Sequence, residues 1–374
     1  MRIGIFGGAF NPPHKEHVNI VRELIRERGY DKMLIIPSVN PPHKKSVVTS
    51  FENRLDMVKI AFGDIEEVEI SDIENRDNVV HYSVDTIKVL QDMYPKDGLE
   101  FVIGGDSMID FHTWYKPNVI AQMIPIVVVS RGDEDIELMM REIDRYNSDG
   151  ANIILSNYKA KQVSSSYLRC QLYLHDKDVD LDNSLLEYIR DNKLYCDYDT
   201  ILDRLKATLK PERFEHTKGV TRYAIKLNEG LRLDFNSVML STLLHDAAKY
   251  MSSDGYDNVP SAAIGTPVEH AFLGAEVAKR IYGISDEAII DAIRYHCTGR
   301  ASMTTLEKLV FSADMLEHGR DFEGVENLRA IIEDDFEKGF LACFNSTYEH
   351  VKSESDNMYP LTEDAYRYYN NKEK

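Results

Sequence analysis

Short apolar runs alternate with amphipathic segments over the first 195 residues of the chain. The runs are rich in β-branched residues and predict strands at residues 3–6, 33–36, 68–70, 101–103, 126–129 and 153–155. Between them, residues 18–28, 51–62 and 83–94 space their apolar positions as helices do. Strands and helices in alternation are typical of a parallel sheet with helices on both faces. We therefore expect an α/β, doubly wound fold for this half.

The remainder of the chain carries helical periodicity alone. Apolar positions recur at helical spacing in residues 201–209, 217–228, 238–250, 271–282, 286–296 and 306–317, and no convincing strand pattern appears. This half is expected to be all-α. The short segment 194–199 marks the junction, so we predict a first domain at residues 1–196 and a second at residues 197–374.

The composition narrows the range of partners and compartments. The 374 residues include 44 Lys and Arg against 63 Asp and Glu, and the resulting net charge of −19 argues against nucleic acid or an anionic membrane as a partner. The N-terminus lacks the pattern of a signal peptide, and no run of about 20 apolar residues is present. The four cysteines are too sparse for a disulfide framework, so a cytoplasmic protein is expected. They are Cys170, Cys196, Cys297 and Cys343.

The first predicted strand runs into a glycine turn and then into a helix that begins with two histidines. Gly7 and Gly8 allow the backbone to approach phosphate closely, and a helix N-terminus supplies free N–H donors. His14 and His17 are three residues apart and therefore share one face of the first helical turn. This combination predicts a phosphate-binding site.

Five further motifs follow in a characteristic order. They are PPHK at 41–44, YSVDT at 82–86, IGGD at 103–106, WYK at 114–116 and SSSYLR at 164–169. With the Gly-Gly and two-histidine segment, the first half resembles the HxGH nucleotidyltransferases, and more narrowly the bacterial nicotinate-mononucleotide adenylyltransferases. The resemblance implies a Rossmann-like domain that transfers AMP from ATP to nicotinate mononucleotide, with Mg²⁺ bound mainly through the phosphates.

The resemblance also implies roles for individual residues. His14, His17, Lys44 and Arg169 are expected to act in catalysis by holding the triphosphate of ATP. Gly7, Gly8, Phe10, Gly104, Asp106, Ser164 and Ser165 are expected to bind ATP and its phosphates. Thr86, Trp114 and Tyr115 are expected to bind the nicotinate nucleotide, with the indole stacked on the pyridine ring.

Two residues depart from the pattern of that family. Asn11 stands where the family usually has Asp, and Glu16 stands where it usually has Gly. A carboxylate beside a phosphate site repels the substrate unless it points away. Glu16 is therefore expected to affect the rate.

The helical half contains six potential metal ligands in the order H…HD…H…H…D. They are His216, His245, Asp246, His270, His296 and Asp314. The adjacent His245 and Asp246 lie in an apolar stretch expected to be helical, where polar groups are costly unless they are paired or coordinate a metal. This half resembles the HD-domain phosphohydrolases, in particular the symmetrical diadenosine tetraphosphate hydrolases.

That second resemblance implies a centre of one or two divalent metals, chosen from Fe, Mn, Co and Zn. His216, His245, Asp246 and Asp314 would hold one metal, while His270 and His296 with a bridging Asp246 would hold the other. Lys249 would neutralise the departing phosphate, and Thr298 and Gly299 would donate to the polyphosphate.

The leading hypothesis is thus a bifunctional enzyme whose partners are ATP, nicotinate mononucleotide and a diadenosine polyphosphate. In one alternative, the helical half binds nucleotide as a regulatory module or hydrolyses another phosphate ester. In a second, the first half uses nicotinamide mononucleotide or phosphopantetheine as acceptor, which Thr86 and Trp114 disfavour. The sequence leaves open whether the chain forms a homo-oligomer.

Overall fold

A six-stranded parallel sheet forms the frame of the first half. The structure is a computed structural model that describes residues 1–39, 49–75, 82–132, 136–354 and 358–370. The strands are β1 (Arg2–Gly8), β2 (Lys32–Pro37), β3 (Val68–Ile70), β4 (Gly98–Gly104), β5 (Ile126–Ser130) and β6 (Ile153–Lys159). They pair in the order β3-β2-β1-β4-β5-β6, and every pairing is parallel. The predicted doubly wound fold is confirmed.

Helices connect these strands and cover the sheet. They are α1 (Lys15–Arg28), α2 (Phe51–Phe62), α3 (Ser83–Met93), α4 (Gly105–Ile109), α5 (Pro117–Met123), α6 (Ile136–Ser148), α7 (Ser165–Tyr173) and α8 (Asn183–Asp191). Successive residues of β2 enter different hydrophobic clusters: Leu34 and Ile36 join one, while Met33 and Ile35 join the other. Since successive side chains of a strand point to opposite faces, each face of the sheet has its own core.

The strand order reverses at the centre of the sheet. β1 pairs with β2 on one side and with β4 on the other. In open α/β sheets, ligands bind outside the carboxyl ends of the strands at such a reversal point. Gly8 ends β1 and Gly104 ends β4, so both of these predicted phosphate-binding glycines lie at that edge.

In the described part of the second half, all regular secondary structure is helical. Its helices are α9 (Asp199–Thr208), α10 (Pro211–Leu231), α11 (Phe235–Leu244), α12 (Glu269–Arg280), α13 (Glu287–Tyr295), α14 (Thr305–Leu316), α15 (Val325–Asp334), α16 (Phe336–Glu354) and α17 (Pro360–Asn370). Helices α10, α11, α13 and α14 pack against one another. The all-α prediction is confirmed for these residues. Over the described ranges, no helix combines the length and the apolar character needed to cross a membrane.

The described residues form two compact units. One comprises residues 1–169 and 178–195, and the other comprises residues 170–177 and 196–374. The segment from residue 345 onward, to which the sequence pattern assigned no element, contributes the end of α16 and all of α17 to the second unit.

One helix is shorter than predicted. The pattern over residues 238–250 predicted a single helix carrying both His245 and Asp246, but α11 ends at Leu244 and residues 245–250 form turns. Nδ1 of His245 lies 2.6 Å from the carbonyl oxygen of Thr242, which a continuing helix would have used for its next backbone hydrogen bond. The prediction that His245 and Asp246 lie on a helix is therefore wrong, because the histidine side chain replaces that bond.

Candidate active sites

A cavity of about 270 Å³ opens at the carboxyl ends of β1 and β4. Seven of the residues expected to contact ATP line it, namely Gly7, Gly8, Phe10, His17, Gly104, Asp106 and Ser165. A Cβ atom at Gly104 would lie 2.5 Å from Oδ1 of Asp106, so a larger residue there would displace this carboxylate. Arg131 also lines the cavity, just after β5, and sequence reasoning missed it.

The two histidines stack at the beginning of α1. Their ring centroids are 3.6 Å apart, and the backbone N–H of His14 donates to Nδ1 of His17 at 3.2 Å. That bond places the proton of a neutral His17 on Nε2, where it can donate to an anion. Burial, reinforced by the charge of Arg131, lowers the pKa of His14 to about 4. His14 is therefore neutral at neutral pH.

Two buried arginines hold the loop that precedes the histidines. Nη1 of Arg169 donates to the carbonyl oxygen of Asn11 at 2.9 Å, and Nη1 of Arg54 donates to that of Ala9 at 2.8 Å. Arg54 also donates to two further backbone carbonyl oxygens, at 3.0 and 3.2 Å. Sequence reasoning missed Arg54 because nothing in its local pattern marks it. Both guanidinium groups fix the loop through its backbone.

The two departures from the family pattern are both accommodated by hydrogen bonds. Glu16 is buried, and its Oε1 accepts from the hydroxyl of Tyr158 at 2.7 Å and from the backbone N–H of Lys161 at 2.8 Å. Oδ1 of Asn11 accepts from the hydroxyl of Tyr195 at 2.7 Å. These donors satisfy Glu16 away from the cavity, so its carboxylate does not face the phosphate site.

The residues expected to bind the nicotinate nucleotide cluster near the start of α3. Thr86 lies in the first turn of this helix and donates to Glu74 at 3.0 Å. The ring of Tyr82, just before the helix, lies 4.4 Å from that of Tyr115. Trp114 is half-buried against the core of one sheet face. None of Thr86, Trp114 and Tyr115 is among the described residues that line the 270 Å³ cavity.

Ser164 and Lys44 were also expected to bind phosphate. Ser164 precedes α7, and its Oγ accepts from the backbone N–H of Tyr167 at 3.1 Å, so this hydroxyl caps the helix. Lys44, together with the whole segment 41–44, lies outside the described residues.

In the second unit, all six expected metal ligands converge. His216, His270 and Asp314 lie on α10, α12 and α14, while the remaining three directly follow α11 and α13. Nε2 of His216 lies 2.9 Å from Oδ1 of Asp314, and Nε2 of His270 lies 3.1 Å from Oδ1 of Asp246. Nε2 of His245 lies 3.6 Å from Oδ2 of Asp246 and 3.9 Å from Oδ1 of Asp314.

Hydrogen bonds from the outer ring nitrogens orient three of these histidines. Nδ1 of His245 and Nδ1 of His296 each contact the backbone carbonyl oxygen three residues earlier, at 2.6 and 2.7 Å. Nδ1 of His216 lies 3.1 Å from Oε1 of Glu317, a residue that sequence reasoning missed. A carbonyl or carboxylate partner on Nδ1 directs the lone pair of Nε2 toward the centre, as metal-binding histidines require.

The buried atoms at this centre fit a metal. Nε2 of His245 is buried and has no hydrogen-bond partner among the described residues, although carboxylate oxygens lie within 3.9 Å of it. Burial alone would raise the pKa of Asp246 and of Asp314, but neighbouring histidines hold both pKa values far below the ordinary range. Ionised carboxylates beside imidazole nitrogens are a ligand set that suits a divalent transition metal.

Three cations surround the ligand cluster. Nη1 of Arg213 lies 2.9 Å from Oδ2 of Asp246, and Nη2 of Arg320 lies 2.6 Å from Oδ1 of Asp314. Nζ of Lys249 lies 3.8 Å from Oδ1 of Asp246. Only Lys249 was expected from the sequence, because the other two become neighbours of the centre through packing. Such cations suit a polyphosphate substrate.

A second cavity, of about 600 Å³, adjoins Asp314 and Arg320. Phe322, Thr347 and His350 contribute to its wall, two of them from the segment that had no predicted role. Thr298 and Gly299, which were expected to donate to the polyphosphate, are not among the described residues that line this cavity. Thr298 is fully buried, and its hydroxyl donates to the carbonyl oxygen of Gly299 at 2.9 Å. Gly299 adopts a positive φ of 60°.

The first unit thus has a glycine-lined cavity at the carboxyl ends of its parallel strands, and the second has a cluster of potential metal ligands between helices. Residues 5–171 match the cytidylyltransferase-like family, and residues 213–319 match the HD domain family. The expected resemblances are confirmed.

Individual relatives narrow this assignment. A probable nicotinate-nucleotide adenylyltransferase of Carboxydothermus hydrogenoformans is 32% identical over 200 residues, which cover 52% of this chain and 98% of the relative. A probable nicotinate-nucleotide adenylyltransferase/Ap4A hydrolase of Mycoplasma genitalium is 26% identical over 331 residues, covering 86% of this chain and 89% of that relative. A Clostridium acetobutylicum structure described as a predicted HD superfamily hydrolase involved in NAD metabolism is 31% identical, with a TM-score of 0.44, over 47% of this chain and 98% of its own. The chain belongs to the nicotinate-nucleotide adenylyltransferase family.

Proposed function

We infer that the chain is a bifunctional enzyme with a nucleotidyltransferase domain at residues 1–196 and an HD phosphohydrolase domain at residues 197–374. The first domain transfers AMP from ATP to nicotinate mononucleotide, giving deamido-NAD and pyrophosphate. The observation that carries this assignment is the stacked pair His14 and His17 beside a glycine-lined cavity at the reversal point of the sheet. Family membership supports the choice of acceptor.

The first reaction requires positioning and charge neutralisation, with no covalent intermediate. A phosphate oxygen of nicotinate mononucleotide attacks the α-phosphorus of ATP, and the bond from this phosphorus to the bridging oxygen of the β-phosphate breaks. Nε2–H of His17 donates to the triphosphate, while Arg131 supplies positive charge at the same cavity. Mg²⁺, held mainly by the phosphates, would neutralise the pyrophosphate as it leaves.

Acceptor competition tests the first assignment. Purified protein is given ATP and Mg²⁺ with nicotinate mononucleotide, nicotinamide mononucleotide or phosphopantetheine, and pyrophosphate release is measured. We expect the highest kcat/KM with nicotinate mononucleotide and a loss of at least about 100-fold in His17→Ala. A preference for either other acceptor would contradict the assignment.

The second domain hydrolyses a nucleotide, for which we propose diadenosine tetraphosphate with cleavage to two ADP. The observation that carries the assignment to a metal centre is the buried Nε2 of His245, which has no hydrogen-bond partner among the described residues and lies within 3.9 Å of carboxylate oxygens of Asp246 and Asp314. One or two divalent ions would be held by His216, His245, His270 and His296 together with Asp246 and Asp314. When bound, these ions would supply an activated water and polarise a phosphoryl oxygen. Water adds to one central phosphorus, and the bond from that atom to the oxygen joining the two halves breaks.

The residues around the centre recognise the substrate. Arg213, Lys249 and Arg320 neutralise the polyphosphate. The adjoining cavity of about 600 Å³ lies within the size range of small-molecule sites, and Phe322 offers an aromatic surface for an adenine ring. We propose that one nucleoside of the substrate binds there.

A direct assay separates hydrolysis from regulatory binding. ADP formation from diadenosine tetraphosphate is compared between the wild type, His245→Ala and Asp246→Ala, with Fe²⁺ under anaerobic conditions and with Mn²⁺. Loss of ADP formation in both variants would support the hydrolase. Nucleotide binding without turnover in the wild type, with either metal, would favour the regulatory module.

The cysteines support a proposal for the compartment. The four cysteines form no disulfide within the described ranges. This supports a reducing environment such as the cytoplasm, which we propose as the location.

A further inference from the structure

The thiol of Cys297 lies among the metal-binding atoms of the second unit. Its Sγ is 3.1 Å from Nε2 of His296 and 3.3 Å from Nε2 of His270. Oδ1 of Asp246 approaches the same two nitrogens, at 3.8 and 3.1 Å respectively. Sγ and one ring nitrogen of each histidine therefore lie within 4.8 Å of one another, and Oδ1 of Asp246 approaches the same two rings.

Hydrogen bonding within the protein accounts for only part of this arrangement. Nδ1 of a neutral His296 faces a backbone carbonyl oxygen and carries the proton, so Nε2 of this ring is an acceptor. Nε2 of His270 already has two polar neighbours, Oδ1 of Asp246 at 3.1 Å and Nζ of Lys249 at 3.0 Å. The single S–H proton of Cys297 can be donated to only one of the two ring nitrogens, so a hydrogen bond from the thiol explains only one of its two contacts.

The spacing matches a shared metal. Ligand atoms at the usual Zn–N, Zn–O and Zn–S distances in a tetrahedral site lie about 3.3–3.6 Å from one another. The separations of Sγ and Oδ1 from the two imidazole nitrogens range from 3.1 to 3.8 Å and bracket this value. His296 and Asp246 are each 2% exposed, which makes these donors a preformed and buried set.

We propose that Cys297 is a seventh metal ligand of the HD domain and binds the ion held by His270 and His296, with Asp246 completing the set. The inference rests on the metal centre of the proposed function. When the metal binds, a metal–sulfur bond forms and the thiol proton passes to solvent. A set of two nitrogens, one sulfur and one oxygen favours Zn²⁺, Co²⁺ or Fe²⁺ over Mn²⁺ and Mg²⁺.

Cobalt spectroscopy tests the sulfur ligand without any assay of activity. The full chain is freed of metal and titrated with Co²⁺ alone, and absorption is recorded for the wild type, Cys297→Ser and the control Cys196→Ser. We expect a sulfur-to-cobalt charge-transfer band in the near ultraviolet for the wild type and for Cys196→Ser. That band disappears in Cys297→Ser, while the visible cobalt bands of the remaining ligands persist.

The possible failures are distinguishable. Visible cobalt bands without a charge-transfer band in the wild type would overturn the Cys297 inference and leave the metal centre in place. No cobalt binding at all would overturn both. If Cys297→Ser unfolds, iodoacetamide labelling of the wild type tests the inference instead. We expect Zn²⁺ to slow the labelling of Cys297 by at least about 10-fold and to leave the labelling of Cys196 unchanged. Equal labelling of Cys297 with and without Zn²⁺ would overturn the inference.

A metal competition adds an independent measurement. We expect Cys297→Ser to weaken Zn²⁺ binding by about 10-fold or more, with Mn²⁺ affinity changed by less than about twofold. Equal losses for both ions would indicate a packing role for Cys297 and contradict ligation.

Discussion

The hydroxyl of Tyr158 donates to Oε1 of Glu16 across a distance of 2.7 Å. Tyr158 belongs to β6 and Glu16 to the first turn of α1, so this bond joins the helix that His14 and His17 begin to the last strand of the sheet. Burial, and then the hydrogen bond to Glu16, raises the pKa of Tyr158 to about 12. The carboxylate thus serves as a structural anchor for α1.

Replacing Glu16 with Gln is expected to lower stability more than activity. The amide removes a charged acceptor that now serves three donors, Tyr158, Lys161 and Asn19, so we expect the free energy of unfolding to fall by about 1–3 kcal/mol, measured by urea denaturation. Adenylyl transfer should change by less than about threefold, because the carboxylate does not face the cavity. Glu23→Gln, on a more exposed part of α1, is the control and should change stability by less than about 0.5 kcal/mol. A large rise in transfer rate in Glu16→Gln would show that the carboxylate repels substrate.

The pKa of His14 predicts a pH-dependent stability. Burial favours the neutral ring, and a folded pKa of about 4 lies below the ordinary histidine pKa of 6.5 that applies to the unfolded chain. The unfolded state therefore takes up the proton first as the pH falls. The contribution of His14 to stability is fully present above about pH 6.5 and is lost as the pH falls toward 4.

Proton NMR measures this pKa directly, and His14→Gln identifies the resonance. We expect the ring to titrate near pH 4 in the free protein and at a higher pH with ATP bound, because the triphosphate stabilises the charged ring. A free-protein pKa above 6 would contradict the buried, neutral His14.

Local patterns in the sequence identify the frame of both sites. Gly8 and Gly104 are recognisable from the sequence because they are glycines at the ends of predicted strands. His245 and Asp246 are recognisable because they are polar residues within an apolar stretch. The end of α11 at Leu244 was not predicted. The side chain of His245 contacts the backbone carbonyl oxygen of Thr242, and the spacing of apolar residues carries no information about such a contact.

Arg54 and Glu317, which support the two sites, could not be predicted for a different reason. Arg54 contacts Ala9 across 45 positions, and His216 contacts Glu317 across 101. These pairs become neighbours only when the elements pack, and neither Arg54 nor Glu317 stands in a motif. Sequence reasoning therefore finds ligands more readily than the groups that orient them.

Arg54 is expected to be essential for the shape of the first site. Its guanidinium is buried and donates to three backbone carbonyl oxygens. Arg54→Met leaves these acceptors without partners, so we expect a loss of about 3–5 kcal/mol in the free energy of unfolding of the first unit. Urea denaturation measures this loss, and the exposed Arg22→Met is the control, with an expected change below about 0.5 kcal/mol. Equal stability of the two variants would show that water replaces the guanidinium without cost.

Glu317 is expected to set metal affinity in the second unit through its contact with His216. Its Oε1 lies 3.1 Å from Nδ1 of that ring, and loss of such an outer partner typically weakens metal binding by about 10- to 100-fold. We therefore expect Glu317→Gln to raise the dissociation constant of Zn²⁺ or Co²⁺ by this factor, measured by competition with a chelator. In wild type, metal at 100 times its dissociation constant should stabilise the second unit by about 2.7 kcal/mol, and a chelator should remove this gain. Glu337→Gln, an exposed carboxylate paired with Lys308, is the control and should leave metal affinity unchanged. If Glu317→Gln binds metal as tightly as the control, His216 is oriented by packing alone.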